Sequence, residues 1–241
     1  MSVREVPASE HAIPDLTFAV TSAEPERFAA VPTLRFGLEI SRTGGGPIRS
    51  VSLTTAIRID VARRRYDRGA QQALIELFGE PERWGSTMRP LPWTQTTLVV
   101  PPFDGGTTVD LRVPCTCDTE LAVTKYLRAV RDADVPLDFL FSGTVFFDAA
   151  DGRLRTAQIS WAKDTTWQLP AGLWHGLIDR YFAGSPWLRL SRDSYDRLDA
   201  YRARQVLTSW DDTVDSLLEQ AGSRSRETPT TAETAGAPWT P

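Results

Sequence analysis

The sequence predicts a mainly β (α+β) protein: an antiparallel β-sandwich of about seven or more strands, with inserted helices and a C-terminal helical extension. Three observations carry this reading. Leu34, Phe36, Leu38 and Ile40 alternate with Arg35, Gly37 and Glu39, and Val51, Leu53, Ile57, Ile59 and Val61 alternate with Ser52, Thr54, Arg58 and Asp60. Side chains of a strand alternate faces, so both segments are half-buried strands. Turn signals then recur between such segments at short intervals, as in a sandwich or barrel. Beyond Pro170 the apolar period becomes helical.

From the N-terminus, residues 1–15 form a polar leader interrupted by Pro7 and Pro14. The sandwich is expected over 16–165. Its first strand has Leu16, Phe18 and Val20 on one face. The two alternating segments above are expected to pair as a β-hairpin through Arg42-Thr43-Gly44-Gly45-Gly46-Pro47. Ala70, Ala73, Leu74, Leu77 and Phe78 then share a helical face, with Gly79 as the C-cap. Glu80 to Pro92 reads as an ordered loop packed by its aromatics, Trp84 with the following Trp93. A second hairpin is expected from Thr96–Val100 and Thr107–Val113, joined across Asp104-Gly105-Gly106.

Asp118 is placed to cap a helix whose apolar face is Val123, Tyr126, Leu127 and Val130. Val135 to Phe147 is the most apolar segment and fits a central strand covered on both faces. It turns at Asp151-Gly152 into a third hairpin that returns through Trp161. A helical extension packed on the sandwich is expected over 166–222. Leu173, Trp174, Leu177, Ile178, Tyr181 and Phe182 stripe its first helix, which ends near Gly184. Ser191 caps the second, and Thr208 with Asp211 caps the last. Residues 223–241 offer too little apolar area to offset chain entropy and are expected to be disordered.

Composition excludes several functions. A net charge of −4 argues against nucleic-acid binding, which relies on a concentrated excess of Lys and Arg. Arg63-Arg64-Arg65 is the one basic run and reads as a solvated strand end. The chain has no apolar run long enough to span a membrane and no apolar signal core near its start, so a cytoplasmic location is expected. Lysine occurs twice and asparagine never, a bias that suggests a GC-rich genome.

Chemistry-bearing constellations are sparse. Cys115 and Cys117 share a strand face if the preceding strand continues, but His11 and His175 are the only histidines to complete a zinc set, so no metal and no cofactor is expected. Gly44-Gly45-Gly46 lacks the following lysine and helix of a phosphate cradle. Ser142-Gly143 lies within an apolar strand without a nucleophile elbow, and His175 has no identified acidic or thiol partner. Asp148/Asp151 sit at a hairpin tip and Asp211/Asp212 in a helix's first turn, where carboxylates are explained by turn chemistry and the helix dipole. The expectation is therefore a non-enzymatic protein with no catalytic residues. Eight tryptophans are many for 241 residues. Those in connecting segments suggest a binding surface made of Trp84, Trp93, Trp167 and Trp187, for a partner protein or a sugar.

Leu77-Phe78-Gly79, Glu82-Arg83-Trp84-Gly85, Val113-Pro114-Cys115, Lys125-Tyr126-Leu127, Val135-Pro136-Leu137 and Leu140-Phe141-Ser142-Gly143-Thr144-Val145-Phe146 resemble an uncharacterised actinobacterial family. The resemblance runs from Leu16 to Leu218, with Cys117 a departure where that family more often has an aromatic. Its members are often encoded beside NiFe hydrogenase genes. That neighbourhood implies an accessory protein acting on hydrogenase subunits or maturation factors. The order of a strand ending at Cys115, a helix with Tyr126 and then Val135 to Phe146 is also similar to the SecB type of export chaperone, which implies an alternative: a holdase for unfolded clients. A carbohydrate-binding module or a hydrolase completes the alternatives.

Overall fold

The structure is a computed structural model, and it describes residues 13–116, 121–131, 134–182 and 190–226. The chain divides into two units, Met1–Pro186 and Trp187–Pro241. The first unit is mainly β, with antiparallel strands in two sheets, as the alternation predicts.

One sheet has three strands in the order β1 (Asp15–Pro25), β2 (Thr33–Thr43), β5 (Gly106–Pro114). The other has five. In it β3 (Ile48–Ile59) lies between β4 (Leu91–Val100) and β6 (Val135–Asp148), and the far edge of β6 is shared by β7 (Leu154–Gln158) and β8 (Asp164–Leu169). Leu34, Phe36, Leu38 and Ile40 of β2 are fully buried, as are Val51 and Leu53 of β3. The inner faces carry Phe36 edge-on to Phe139, with ring centroids 5.3 Å apart, and Phe18 stacked on Phe141 at 4.2 Å.

The expected hairpin between β2 and β3 does not form. Leu38 pairs with Val20 of β1 on one side and with Val109 of β5 on the other, while β3 pairs with β4 and β6. Both edges of each strand are thus occupied, and residues 44–47 carry the chain from one sheet to the other. Gly44 and Gly45 make the crossing at φ +67° and +61°, a region open to glycine at little cost. The second expected hairpin is corrected in the same way: β4 lies in the five-stranded sheet and β5 in the three-stranded one. Both crossings lie at one end of the sandwich. There Arg42 donates from its backbone N–H to the Gly105 carbonyl, and its guanidinium donates to the carbonyls of Gly44 and Gly45 and pairs with Asp104.

The third hairpin is present. β6 and β7 pair from Thr144↔Gln158 to Asp148↔Leu154 around Gly152 at φ +74°. β6 changes neighbour along one edge, pairing with β8 over Val135–Leu140 and with β7 from Thr144 on. The sandwich limit expected at 165 therefore falls inside β8, and the first unit continues through a helix, α4, described below.

Helices close the opposite end. α1 (Arg68–Phe78) is capped by Asp67, whose side chain accepts from the Ala70 N–H, and it ends at Gly79, φ +75°. A short helix, α2 (Trp84–Thr87), follows within the segment expected to be an aromatic-packed loop. α3 (Leu121–Ala129) buries Val123, Tyr126 and Leu127; the expected cap Asp118 lies outside the described residues. α4 (Ala171–Phe182) buries Trp174 and Leu177, and its Tyr181 hydroxyl donates to the Ala29 carbonyl at 2.8 Å; Gly184, its expected end, is outside the described residues.

Between α1 and α3 the Tyr66 hydroxyl donates to the Val61 carbonyl at 2.6 Å. Its single proton is then committed, so the Tyr126 hydroxyl, 3.0 Å away, donates to Tyr66. Burial is the main cause that holds both phenols above the ordinary tyrosine value. An unfolded chain therefore loses these protons first, near pH ~10, so stability is full below that pH and falls as pH rises through it. Urea midpoints measured from neutral to strongly alkaline pH are expected to fall, and Tyr66→Phe to flatten that fall. An unaltered alkaline slope in the variant would refute the assignment.

The second unit is a pair of helices, α5 (Arg192–Gln205) and α6 (Trp210–Arg226). Ser191 caps α5 through the Ser194 N–H, as expected. The cap of α6 is shifted by one residue from expectation. Ser209 and Asp212 form the reciprocal box: the Asp212 N–H donates to Ser209 Oγ at 3.0 Å, and the Ser209 N–H donates to the Asp212 carboxylate at 3.2 Å. The Ser209 side chain first, then the Thr208 hydroxyl and the Ser209 N–H, hold the Asp212 carboxyl below its usual range.

Candidate interaction surface

Of the four tryptophans expected to form a surface, the three described ones do not come together as one. Trp93 is only 3% exposed, because a bulge where β4 passes β3 leaves it between the paired positions Pro92 and Thr94, with its ring in the core. Trp84 is part-buried. Its indole N–H donates to the Gly79 carbonyl at 2.8 Å, and its ring meets Tyr66 and Phe78 edge-on at 5.3 and 6.1 Å. Trp167 stands on β8 and packs against the core, with its indole N–H buried and lacking a hydrogen-bond partner. Trp187 lies outside the described residues.

The charged candidates are held structurally. Asp138 on β6 is almost fully buried and accepts from Arg58 Nε at 3.0 Å and Arg63 Nη1 at 3.4 Å, while Arg63 also pairs with Asp60 at 2.8 Å. The half-exposed arginines neutralise a carboxylate that could not otherwise be kept charged away from water. Arg64 lies over the Tyr66 ring at 5.2 Å. The Arg63-Arg64-Arg65 run, expected to be a solvated strand end, is thus partly built into the sandwich.

His175 Nε2 lies 3.0 Å from the Val130 carbonyl, and its ring meets Trp174 edge-on, a packing role that joins α4 to the end of α3. Cys115 is buried, with its thiol 3.5 Å from the Val113 carbonyl; Cys117 and His11 are outside the described residues. Among the described residues no group of three or more His, Cys, Asp or Glu is placed to hold a metal ion. None of the described helices is long and apolar enough to cross a membrane.

What the molecule does present is apolar side chains in the open. In the first unit, Phe28 in the β1–β2 loop is 97% exposed and Trp161 in the β7–β8 turn is 91% exposed. In the second unit Leu190, Tyr195 and Val206 are exposed singly, but the exposed residues of α6 are ordered. Trp210, Val214, Leu217 and Leu218 follow one another at offsets of four, three and one along α6, so they form one stripe. The last three are 42%, 37% and 64% exposed.

The two helices meet through Trp210, whose ring lies 5.4 Å from that of Tyr195, and otherwise through polar groups. Tyr201 of α5 lies 2.7 Å from Ser216 Oγ and accepts from Gln220 Nε2 at 2.7 Å, while Arg202 sits over the Trp210 ring at 4.4 Å. Thr213 is fully buried and donates to the Ser209 carbonyl. Thr213, Ser216 and Gln220 thus take the side of α6 that faces α5. Asp211 and Asp215 precede Leu218 by seven and three positions and border the stripe with negative charge. An apolar strip with an acidic margin suits contact with an apolar patch bordered by Lys or Arg. Reading Leu217 and Leu218 only as part of a final helix misses this. The 210/214/217/218 spacing is its signal in the sequence, but spacing alone does not say whether a stripe is covered.

The model of a family described as Family of unknown function (DUF6084) matches residues 13–226. No curated protein matches. Among solved structures, the chain is similar to a protein described as late embryogenesis abundant (LEA), at 13% identity and TM-score 0.29, over 68% of this chain and 75% of that one. It is similar to a target of the Northeast Structural Genomics Consortium at 8% identity and TM-score 0.23, over 75% of this chain and 93% of that one. It is also similar to β-glucosidase 3B from Thermotoga neapolitana at 10% identity and TM-score 0.22, over 64% of this chain but 17% of the glucosidase. Scores this low carry no argument about activity.

Proposed function

We propose, from the premise that the chain belongs to this family of unknown function, DUF6084, that it is a non-enzymatic accessory protein acting by protein–protein contact in the cytoplasm. The observation that carries the reading is the α6 stripe, in which Val214, Leu217 and Leu218 remain exposed beside the acidic margin of Asp211 and Asp215. Large apolar groups left ordered on a rigid element favour a partner that covers them. The resemblance drawn from the sequence names the partner to try first: NiFe hydrogenase subunits or maturation factors of an actinobacterial host.

Affinity purification of the tagged full chain from its native host tests this. A hydrogenase subunit or maturation factor is expected to copurify. The double substitution Leu217→Asp/Leu218→Asp is expected to lower its recovery by about tenfold or more, the effect of removing a central apolar anchor. Circular dichroism of the variant verifies that α6 still forms. Recovery of no hydrogenase-related protein, or undiminished recovery by the folded variant, overturns the reading. A second reading, a SecB-like holdase, draws on Phe28 and Trp161, which are exposed on separate loops rather than gathered in one patch. It requires suppression of aggregation of unrelated unfolded proteins, and absence of suppression at excess chain dismisses it.

A further inference from the structure

A β-sandwich has edges, and an exposed edge offers unpaired N–H and C=O groups to any other strand, so edges that must stay single carry charges, bulges or little length. Three of the edges here are protected in these ways. β1 is broken by a bulge between Val20 and Ser22 and holds Asp15 and Glu24. β5 carries Asp110 and Arg112. The far edge of β6 is divided between β7 and β8, of five and six residues, with Arg155 on the first and Asp164 on the second.

The fourth edge differs. β4, Leu-Pro-Trp-Thr-Gln-Thr-Thr-Leu-Val-Val, has ten residues and no charged side chain. Its pairing with β3 is regular from Thr94 to Val100, and it ends the order of its sheet, with no strand beyond it among the described residues. Pro92 and the bulge at Trp93 interrupt it, and both lie outside this regular stretch. Val99 on the outer face is 70% exposed.

We propose that β4 is the self-association edge of this protein, and that its occupant is β4 of a second copy, paired antiparallel about a two-fold axis. A strand pairing with its own copy sets like residue against like or near-like, so any charged position risks opposing its own sign. β4 has none. With the axis at Thr97, Thr97 faces Thr97 of the second copy, Leu98 faces Thr96, Val99 faces Gln95 and Val100 faces Thr94. Threonine pairs of this kind are already used on the other side of the strand, where the Thr54 and Thr97 hydroxyls lie 3.0 Å apart. Seven residues from Thr94 to Val100 supply roughly 23 Å of ladder at about 3.3 Å per residue. The two five-stranded sheets then continue into each other across the axis.

Light scattering coupled to size exclusion, applied to the full chain over a dilution series, tests the pairing. The wild-type chain is expected to reach twice the 26.8 kDa chain mass. Thr97→Lys and Thr97→Glu, each alone, place two like charges on the axis and are expected to give 26.8 kDa, while an equal mixture of the two variants is expected to regain the doubled mass. That regain separates a lost interface from a lost fold. A wild-type chain at 26.8 kDa throughout, a doubled mass in either variant alone, or a mixture that stays at 26.8 kDa overturns the proposal.

Discussion

Replacing Gly143 with alanine is expected to destabilise the sandwich by about 3 kcal/mol, read as a lower urea midpoint. Gly143 lies in β6 opposite Leu53 of β3, at φ +137°, a conformation that residues with a Cβ rarely adopt. A methyl group built there falls 1.9 Å from the Ser52 carbonyl oxygen and 3.0 Å from its carbon. The obstacle is backbone, so the strands themselves must part. Gly143 is also where the far edge of β6 passes from β8 to β7, and its carbonyl accepts the Ile159 N–H at 2.9 Å. Gly152→Ala is the matched control. Gly152 is at φ +74° with nothing within 4 Å of the added methyl, so the dihedral alone contributes, about 1 kcal/mol. Equal midpoints for the two variants would show that the close approach of β3 and β6 has no energetic weight.

Phe139→Ala is expected to cost more, about 3–5 kcal/mol, since the ring leaves a cavity that rigid strands on both sides cannot close. Phe139 is fully buried, stands on β6 between Ile57 of β3 and Thr165 of β8, and meets Phe36 of the opposite sheet edge-on. Its loss is thus felt by both layers. Thermal unfolding should fall on the order of 10 °C for a unit of this size. A drop of a degree or two would mean that the sheets close over the gap.

These residues also mark what is legible in the sequence. Which side chains of Leu34–Ile40 and Val51–Ile59 are buried follows from alternation, because a strand has only two faces. Which strand lies beside them does not, because Gly44-Gly45-Gly46-Pro47 serves a turn within a sheet and a crossing between sheets equally well. The helices are legible from the apolar face Ala70 to Phe78 with Gly79 after it, and from Ser191, where local chemistry closes a helix end; the cap at Asp67 is seen only in the structure. β8 is not legible: Asp164-Thr165-Thr166-Trp167-Gln168-Leu169 is short and directly precedes a helical stripe, and only its pairing with Val135–Leu140 makes it a strand. In the sequence Trp93 reads as a surface residue because its neighbours Pro90 and Pro92 suggest a loop, whereas the bulge beside Ile57 turns its ring inward. For Leu217 and Leu218 the sequence specifies the stripe but not its exposure, which depends on α5 meeting α6 through Tyr201, Ser216 and Gln220.

The two crossings also govern the order in which this chain can be assembled. β1 and β2 can pair as soon as both exist, yet their sheet is complete only when residues 106–114 return to it, after β3, α1 and β4 have been made. β3, an inner strand of the other sheet, waits for residues 135–148 to supply its second neighbour. Most of the ladder therefore joins segments far apart along the chain, so loop-closure entropy opposes the early steps and folding belongs to the slow, millisecond-to-second range. During that interval β3 and its apolar face have one edge open, and a nascent chain released before Asp148 exposes a strand that the finished molecule pairs along both edges.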